Sequence, residues 1–140
     1  MERDYQKWHV LKSEIDCKNQ SPLFRDQEIW WCSLGANVGV EEDGKNELFE
    51  RPILILRKFN REMFWALPMT SRKKEGKFYC SFAFHNTERT AILSQLRTLS
   101  SKRLIRRVGK ISDKQFDALR ETITTLLTKR NGPLAGSSSA

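Results

Sequence analysis

The stretch that decides the fold is residues 52–70, PILILRKFNREMFWALPMT. Two apolar runs flank the polar pair Asn60-Arg61, which is the pattern of a β-hairpin with a tight turn. We therefore predict strands over 52–59 and 63–70. The first run is apolar at successive positions, which is typical of a central strand buried on both faces. Pro68 cannot donate a ladder hydrogen bond, so it predicts an edge or a bulge near the end of the second strand.

This hairpin also brings polar residues together at one rim of the sheet. In a register centred on Asn60 and Arg61, Arg51 lies opposite Thr70, and Ser71 follows in the chain. A guanidinium beside hydroxyl groups is a pairing that suits phosphate. The same residues also fit structural roles, because a strand-end arginine often forms an ion pair and a threonine is an ordinary strand terminus. The hairpin alone leaves both readings open.

Short strands and two helices account for most of the remaining chain. Apolar residues at helical spacing predict helices over 5–16 and 112–130, the second opened by a capping-box sequence. Further strands are predicted over 28–34, 78–84, 90–93 and 104–110, with a helical turn over 98–103. The fold class that follows is mainly β (α+β). We expect a small, partly open antiparallel barrel with a C-terminal helix and an appended N-terminal helix.

The 140 residues fit one domain with two appendages. We predict an N-terminal helical arm over 1–27, a barrel domain over 28–130, and a disordered tail over 131–140 whose small polar residues cannot build a core. A loop over 35–50, rich in glycine and acidic residues, interrupts the domain. A loop of that length inside a compact domain is usually either functional or disordered.

Positive charge predicts the kind of partner. The formal net charge is +8 and the pI is about 9.7. A phosphate polyanion is the usual partner of such a chain, a membrane surface comes second, and a merely solvated basic surface fits the total equally well. The segment 97–110 carries six cations and no acid. This favours a polyanion-binding face, because charge spread for solubility is normally mixed in sign.

Histidine and cysteine are too few and too scattered for several kinds of site. The chain has 2 His and 3 Cys, without a zinc-site spacing or a glycine-rich phosphate loop. His85 ends an aromatic strand, where a structural or surface role is favoured over catalysis. We therefore expect no metal and no cofactor. An odd cysteine count predicts a reducing, cytoplasmic setting, and no apolar run reaches the roughly 18 residues of a membrane span.

Five motifs occur in an order that resembles the MazF/PemK toxin family over roughly residues 28–125. They are Glu28-Ile29-Trp30-Trp31, then Gly39-x-Glu41-x-x-Gly44-Lys45, then Arg51-Pro52 before ILIL, then Pro68-Met69-Thr70-Ser71, and finally Leu93-x-Gln95-Leu96-Arg97-Thr98 with Lys102-Arg103-Leu104. The resemblance implies a CcdB-like, SH3-like barrel, a homodimer, metal-independent cleavage of single-stranded RNA, and neutralisation by a cognate antitoxin.

The resemblance also implies roles for individual residues. Arg51 matches the family's catalytic arginine, Thr70 its catalytic threonine, and Glu41 the acid of its mobile loop. The residues expected to contact RNA or support the site are Lys45, Ser71, Gln95 and Arg97. Glu41 fits a solvated loop acid equally well. Gln95 also suits hydrogen bonding to buried backbone groups.

The expected function is that of a toxin-type endoribonuclease acting on mRNA by attack of the 2′-hydroxyl on the scissile phosphate. Two alternatives remain: a non-catalytic toxin of the same fold that inhibits a protein such as DNA gyrase, and an RNA-binding module. Trp30, Trp31 and Trp65 could stack on bases or pack in the core. The loop over 35–50 and the arm over 1–27 depart from the family pattern, and we expect the loop to decide the RNA sequence.

Overall fold

The computed structural model describes residues 2–129 and has a helix at each end of a run of strands. The elements in chain order are α1 (Tyr5–Asp16), β1 (Glu28–Ser33), β2 (Glu50–Lys58), β3 (Met63–Thr70), β4 (Tyr79–Phe84), β5 (Thr87–Ile92), β6 (Arg97–Ser100), β7 (Leu104–Lys110) and α2 (Asp113–Thr128). One-turn 3₁₀ helices cover Leu93–Gln95 and Ser101–Arg103. The predicted mainly-β class is confirmed. The predicted tail over 131–140 lies outside the described residues.

The strands form one curved antiparallel sheet in the order β4-β5-β3-β2-β1-β7, and β6 pairs with β3. Strand β3 divides its outer edge between two partners. Its first half, Met63–Ala66, pairs with β6, and its last two residues, Met69 and Thr70, pair with β5. Pro68 lies in the gap between them, where an unavailable ladder donor costs nothing. The exchange of partners at this point bends the sheet toward the expected partly open barrel.

At the end away from its turn, the β2–β3 hairpin has the predicted register. Ile53 pairs with Pro68 and Ile55 with Ala66, and continuing this register puts Arg51 level with Thr70. Nearer the turn the pairing shifts by one residue, at a bulge after Ile55. The turn itself is one residue longer than predicted. The bulge offsets that extra residue, which is why the rim pairing survives.

Strand β2 is buried on both faces, as predicted. Ile53 and Ile55 belong to the core inside the curved sheet, and Leu54 belongs to the core under α2. From α2, Phe116 and Leu119 close this second core, and the capping box that opens the helix is present. Full burial of an apolar side chain of this size stabilises the fold by about 1.5–3 kcal/mol. Two such layers hold β2, and therefore Arg51 at its start, in a fixed place.

Helix α1 packs against the barrel through a third, smaller core. Trp8 and Ile15 are buried there beside Ala36, and Asp4 caps the helix by accepting a hydrogen bond from the Lys7 amide at 3.0 Å. Gly35 adopts a φ of +88° and lies so close to Trp8 that a Cβ would come within 2.2 Å of Trp8 Cε2. The helix of the predicted arm thus packs against the barrel at the start of the 35–50 loop.

Two predicted elements differ from the structure. The strand predicted over 90–93 begins earlier, at Thr87, because His85 and Asn86 both have positive φ and form a two-residue hairpin turn. The helical turn predicted over 98–103 is strand β6 followed by a 3₁₀ turn. His85 is a turn residue that stacks on Phe84, with ring centroids 4.0 Å apart. Within residues 2–129, no helix has the length and apolar character needed to cross a bilayer.

Candidate active site

Arg51 is pinned at the start of β2 by three contacts. Its Nε donates to the backbone carbonyl of Asp43 at 2.7 Å, and its Nη1 donates to the carbonyl of Met69 at 3.1 Å. Nη1 also forms an ion pair with Glu42 Oε1 at 3.1 Å. The side chain is only 12% exposed. A guanidinium held in this way keeps its second Nη group for a ligand and loses little entropy when it binds one.

The loop over 35–50 is folded back on itself and presents the Asp43 carbonyl to Arg51. The Asn37 amide donates to Asp43 Oδ1 at 2.7 Å, and the Gly44 amide donates to the Gly35 carbonyl at 2.8 Å. Gly44 is required by close approach, since a Cβ there would lie 1.5 Å from the Phe49 carbonyl oxygen. The loop is therefore folded and in contact with Arg51, and it is not the disordered segment that its length also allowed.

Two adjoining clefts, of about 150 and 490 Å³, meet at Arg51. Lys45, Arg51 and Thr70 line both of them. We call the two clefts together the Arg51 groove. A further cavity of about 740 Å³ lies between the α1–β1 linker and the β3–β6 pair, away from these residues. Although this cavity is larger, the Arg51 groove is the better candidate site, because the cationic and hydroxyl side chains expected at a phosphate site converge there.

Positive charge dominates the lining of the Arg51 groove. The cations are Lys45, Arg51, Arg72, Lys74 and Arg89, and the acids are Glu42 and Glu50. Both acids are in ion pairs, Glu42 with Arg51 at 3.1 Å and Glu50 with Arg106 at 3.0 Å. A concave basic lining with low-dielectric walls attracts polyanions. None of these cations belongs to the 97–110 run that the sequence singled out; from that run, Arg106 reaches the groove through its ion pair with Glu50.

Thr70 and Ser71 place hydroxyl groups beside Arg51 in the Arg51 groove. Thr70 Oγ1 accepts a hydrogen bond from the Arg72 amide at 3.2 Å, so its hydroxyl proton stays available to donate. Thr70 is half-buried and Ser71 is exposed. The hairpin prediction that brought these three residues together is matched by the structure.

One of the three candidate tryptophans lies in the Arg51 groove. Trp31 is half-buried in its lining, with the Arg106 guanidinium 4.9 Å from the ring centroid. Trp30 is buried and donates from Nε1 to Glu28 at 3.0 Å, and Trp65 packs edge-on against Phe59. Of these three rings, Trp31 is the one that lines the Arg51 groove; Trp65 is 39% exposed but lies outside it.

Arg89 lines the Arg51 groove, although the sequence did not single it out. Its Nε is buried and has no hydrogen-bond partner among the described residues. A buried donor without a partner costs about 1–3 kcal/mol, which an anionic ligand could recover. The sequence did not point to Arg89 because the fifth strand was predicted to begin at residue 90, whereas it begins at Thr87.

Glu41 and Arg97 do not line the two clefts of the Arg51 groove, so the site in the structure differs at these two positions from the one expected from the sequence. Glu41 is exposed and its carboxylate accepts a hydrogen bond from the Val38 amide at 3.0 Å, so it caps a local turn. The acid in contact with Arg51 is its neighbour Glu42. Arg97 opens β6 opposite Ala66, one strand away from the groove.

Gln95 reaches the Arg51 groove through the loop. Its Oε1 accepts from the Glu42 amide at 3.0 Å, and its Nε2 donates to the Val40 carbonyl at 2.9 Å. Both contacts are to backbone, which is the structural role that the sequence left open for it. Gln95 thus anchors the segment that carries Glu42.

The cysteines and acids give no sign of a metal centre in residues 2–129. That part of the chain has no group of three or more His, Cys, Asp or Glu side chains placed to hold an ion. Cys32 is fully buried in the inner core, and burial raises the pKa of its thiol to about 12. It is therefore an inert core residue.

Comparisons with known proteins agree with the geometry. Residues 25–127 match the family model described as PemK-like, MazF-like toxin of type II toxin–antitoxin system. No curated protein matches the chain. MazF from Deinococcus radiodurans is similar in structure, with a TM-score of 0.63 and 21% identity, over 79% of this chain and 100% of that one.

Two mycobacterial structures are similar as well. An endoribonuclease in complex with its cognate antitoxin, from a mycobacterial species, has a TM-score of 0.60 and 14% identity over 79% of this chain and all of its own. The toxin MazF-mt6 from Mycobacterium tuberculosis has a TM-score of 0.56 and 17% identity over 74% of this chain and 98% of its own. At these identities the structures establish the fold, and the family model covers well over half of the chain. The chain belongs to the PemK-like, MazF-like toxin family of type II toxin–antitoxin systems.

Proposed function

We propose that this toxin-family protein is an endoribonuclease that cleaves single-stranded RNA, by attack of the 2′-hydroxyl on the adjacent phosphorus and without a metal. The observation that carries the proposal is the pinned Arg51 guanidinium beside the Thr70 hydroxyl in a groove lined mainly by cations. Family membership supports the same reaction class. The 2′-oxygen forms a bond to phosphorus, the bond to the 5′-oxygen breaks, and the products carry a 2′,3′-cyclic phosphate and a 5′-hydroxyl.

Arg51 supplies the electrostatic part of the reaction. Its Nε and Nη1 are held by the protein, and its Nη2 group donates to the phosphoryl oxygens, on which negative charge grows in the transition state. Because an arginine does not lose its proton in a protein, it acts as a donor and not as a base. Its fixed contacts to two backbone carbonyls mean that little reorganisation is needed during the reaction.

The remaining groups position the phosphate and take up the proton. Thr70 and Ser71 donate hydrogen bonds to phosphate oxygens beside Arg51. Glu42 replaces Glu41 as the acceptor of the 2′-hydroxyl proton, because only Glu42 lines the groove and contacts the arginine. Lys45 binds a neighbouring phosphate from the position where the two clefts meet. The leaving 5′-oxygen takes its proton from water.

Trp31 offers a stacking surface for a base that is splayed out of the strand. Only single-stranded RNA can present such a base together with its phosphate. Part of the base selectivity is therefore expected at Trp31, and part at the 35–50 loop.

A cognate antitoxin and a homodimer complete the proposal. Similar structures include a mycobacterial endoribonuclease in complex with its cognate antitoxin and a MazE–MazF complex from Deinococcus radiodurans. An acidic antitoxin segment that lies in the Arg51 groove would neutralise its cations and exclude RNA.

The proposal is tested by incubating the purified protein with mixed-sequence single-stranded RNA in excess chelator, beside its Arg51→Ala variant. New RNA ends from the wild type, and at least about 100-fold fewer from the variant, are expected. Binding without new ends, with a log–log salt slope of about −0.7 per phosphate contact, would support an RNA-binding module in its place. Neither cutting nor binding would favour a toxin that acts on a protein such as DNA gyrase.

A further inference from the structure

A relay of contacts links the N-terminal helix to Arg51 from outside the Arg51 groove. The Arg3 guanidinium forms an ion pair with the Asp43 carboxylate, and its Nη2 donates to the Gly39 carbonyl at 2.7 Å. The backbone carbonyl of the same Asp43 accepts the hydrogen bond from Arg51 Nε at 2.7 Å. Asp43 therefore holds the arm with its side chain and the candidate catalytic arginine with its backbone.

Two more contacts tie α1 to the 35–50 loop. Tyr5 Oη donates to the Asn37 carbonyl at 2.8 Å, near the start of the loop. The buried Trp8 ring lies 5.5 Å from the ring of Phe49 near the loop's end, measured between centroids. Helix α1 thus holds the loop at both ends, and Arg3, two residues before the helix, holds it in its middle. A loop fastened at three points samples fewer conformations than one closed by its own hydrogen bonds.

The arm lies outside the part of the chain that matches the family. The match to the family model begins at residue 25, after α1 has ended at Asp16. The contacts of Arg3, Tyr5 and Trp8 are therefore made by a segment outside the family match. Because this segment lies outside the family match and is fastened to the loop beside the site, building the common fold does not explain its presence.

We propose that the N-terminal arm, formed by α1 and the residues just before it, is a positioning element for the candidate active site and that Arg3 is its positioning residue, acting on Arg51 through Asp43. The proposal rests on the proposed ribonuclease function. Arg3 does not line the groove, so it affects turnover and leaves the contacts that bind RNA in place. Small displacements of a preorganised group are costly, since an error of about 1 Å can reduce a rate by about 100-fold.

The test compares Arg3→Met with the matched control Lys7→Met, which removes a cation from an exposed position in the first turn of α1, four residues along the arm. Hydrogen exchange of the full-length protein reports on the loop, and steady-state cleavage of single-stranded RNA reports on the site. For Arg3→Met we expect about tenfold faster exchange at the Asn37 and Gly44 amides. We also expect kcat to fall about tenfold while KM stays within about twofold, because only positioning is lost.

Two further variants separate positioning from a general loss of structure. Arg3→Lys keeps the charge opposite Asp43 and should restore part of kcat, although a lysine lacks the second donor that reaches Gly39. Tyr5→Phe removes only one hydroxyl and should change exchange and kcat in the same direction by less. Lys7→Met should match the wild type in both measurements.

The outcomes distinguish a failure of the positioning role of Arg3 from a failure of the proposed ribonuclease function. If Arg3→Met and Lys7→Met exchange alike, or if the loop loosens while kcat is unchanged, the positioning role is overturned. If the wild type cuts no RNA at all, the proposed function fails, and the exchange comparison alone then decides whether Arg3 holds the loop.

Discussion

Replacing Glu42 or Glu41 by glutamine asks which acid of the loop takes part in the reaction. Glu42 lies 3.1 Å from Arg51 Nη1, and the two side chains are 28% and 12% exposed. Glu41 is exposed and caps the Val38 amide. Glutamine keeps the size and most hydrogen bonds of either side chain and removes its charge and its basicity. The two variants therefore form a matched pair one residue apart.

For Glu42→Gln we expect kcat to fall by about 100- to 10,000-fold, the usual contribution of general acid–base catalysis. KM for RNA should fall slightly, because the groove loses a negative charge that repels phosphate. The lost ion pair is partly screened by solvent and should cost about 1 kcal/mol, or a few degrees in melting temperature for a domain of this size. For Glu41→Gln we expect kcat within about threefold of the wild type.

Initial rates on a fluorescent single-stranded RNA, with thermal melting of each variant, measure these quantities. If Glu42→Gln retains wild-type kcat, Glu42 is not the proton acceptor. If Glu41→Gln is the variant that loses kcat, the original assignment from the sequence is right and the loop must rearrange when RNA binds.

Three further predictions concern other parts of the chain. Arg89→Met should weaken RNA binding and lower, by about 0.7, the magnitude of the slope of log binding constant against log salt concentration. Fluorescence anisotropy measures this slope, and an unchanged slope would mean that Arg89 contacts no phosphate. Gly44→Ala should lower the free energy of unfolding by more than about 2 kcal/mol in denaturant titrations, because its Cβ would lie 1.5 Å from the Phe49 carbonyl oxygen; a smaller loss would show that the loop yields easily. In the native protein the exposed Cys17 should react with a thiol reagent near neutral pH. Cys32 should react only after unfolding, because burial raises the pKa of its thiol to about 12. Timed labelling with mass spectrometry measures this difference, and equal labelling of the two cysteines would contradict it.

The hairpin that forms the site was predictable because its two apolar runs are long and its register follows from the turn. The turn extends beyond Asn60 and Arg61, since Asn60 Oδ1 also accepts hydrogen bonds from the backbone amides of Glu62 and Met63. The bulge after Ile55 restores the register beyond it. The level pairing of Arg51 with Thr70 was therefore reached although two local details were missed, because these errors cancel.

Side-chain directions in the loop could not be predicted. No repeating pattern tells which of Glu41 and Glu42 faces the sheet, since loops have no fixed period. The choice depends on a turn in which Glu41 caps Val38 and on the contact of Gln95 with the Glu42 amide, 53 positions along the chain. The attachment of α1 to the loop is likewise a long-range contact, and helical spacing shows only that Trp8 has an apolar face to bury.

The central claim is that Arg51 helps to cut RNA by internal attack of the 2′-hydroxyl, and the chemistry of the new ends tests it most directly. Wild-type protein and Arg51→Ala are each incubated with single-stranded RNA in excess chelator, and the ends are mapped by mass spectrometry and by their response to kinase and phosphatase. The account predicts 2′,3′-cyclic phosphate and 5′-hydroxyl ends from the wild type, at a rate about 100–1,000 times that of the variant. Ends with a 5′-phosphate and a 3′-hydroxyl, or equal cutting by Arg51→Ala, would contradict it.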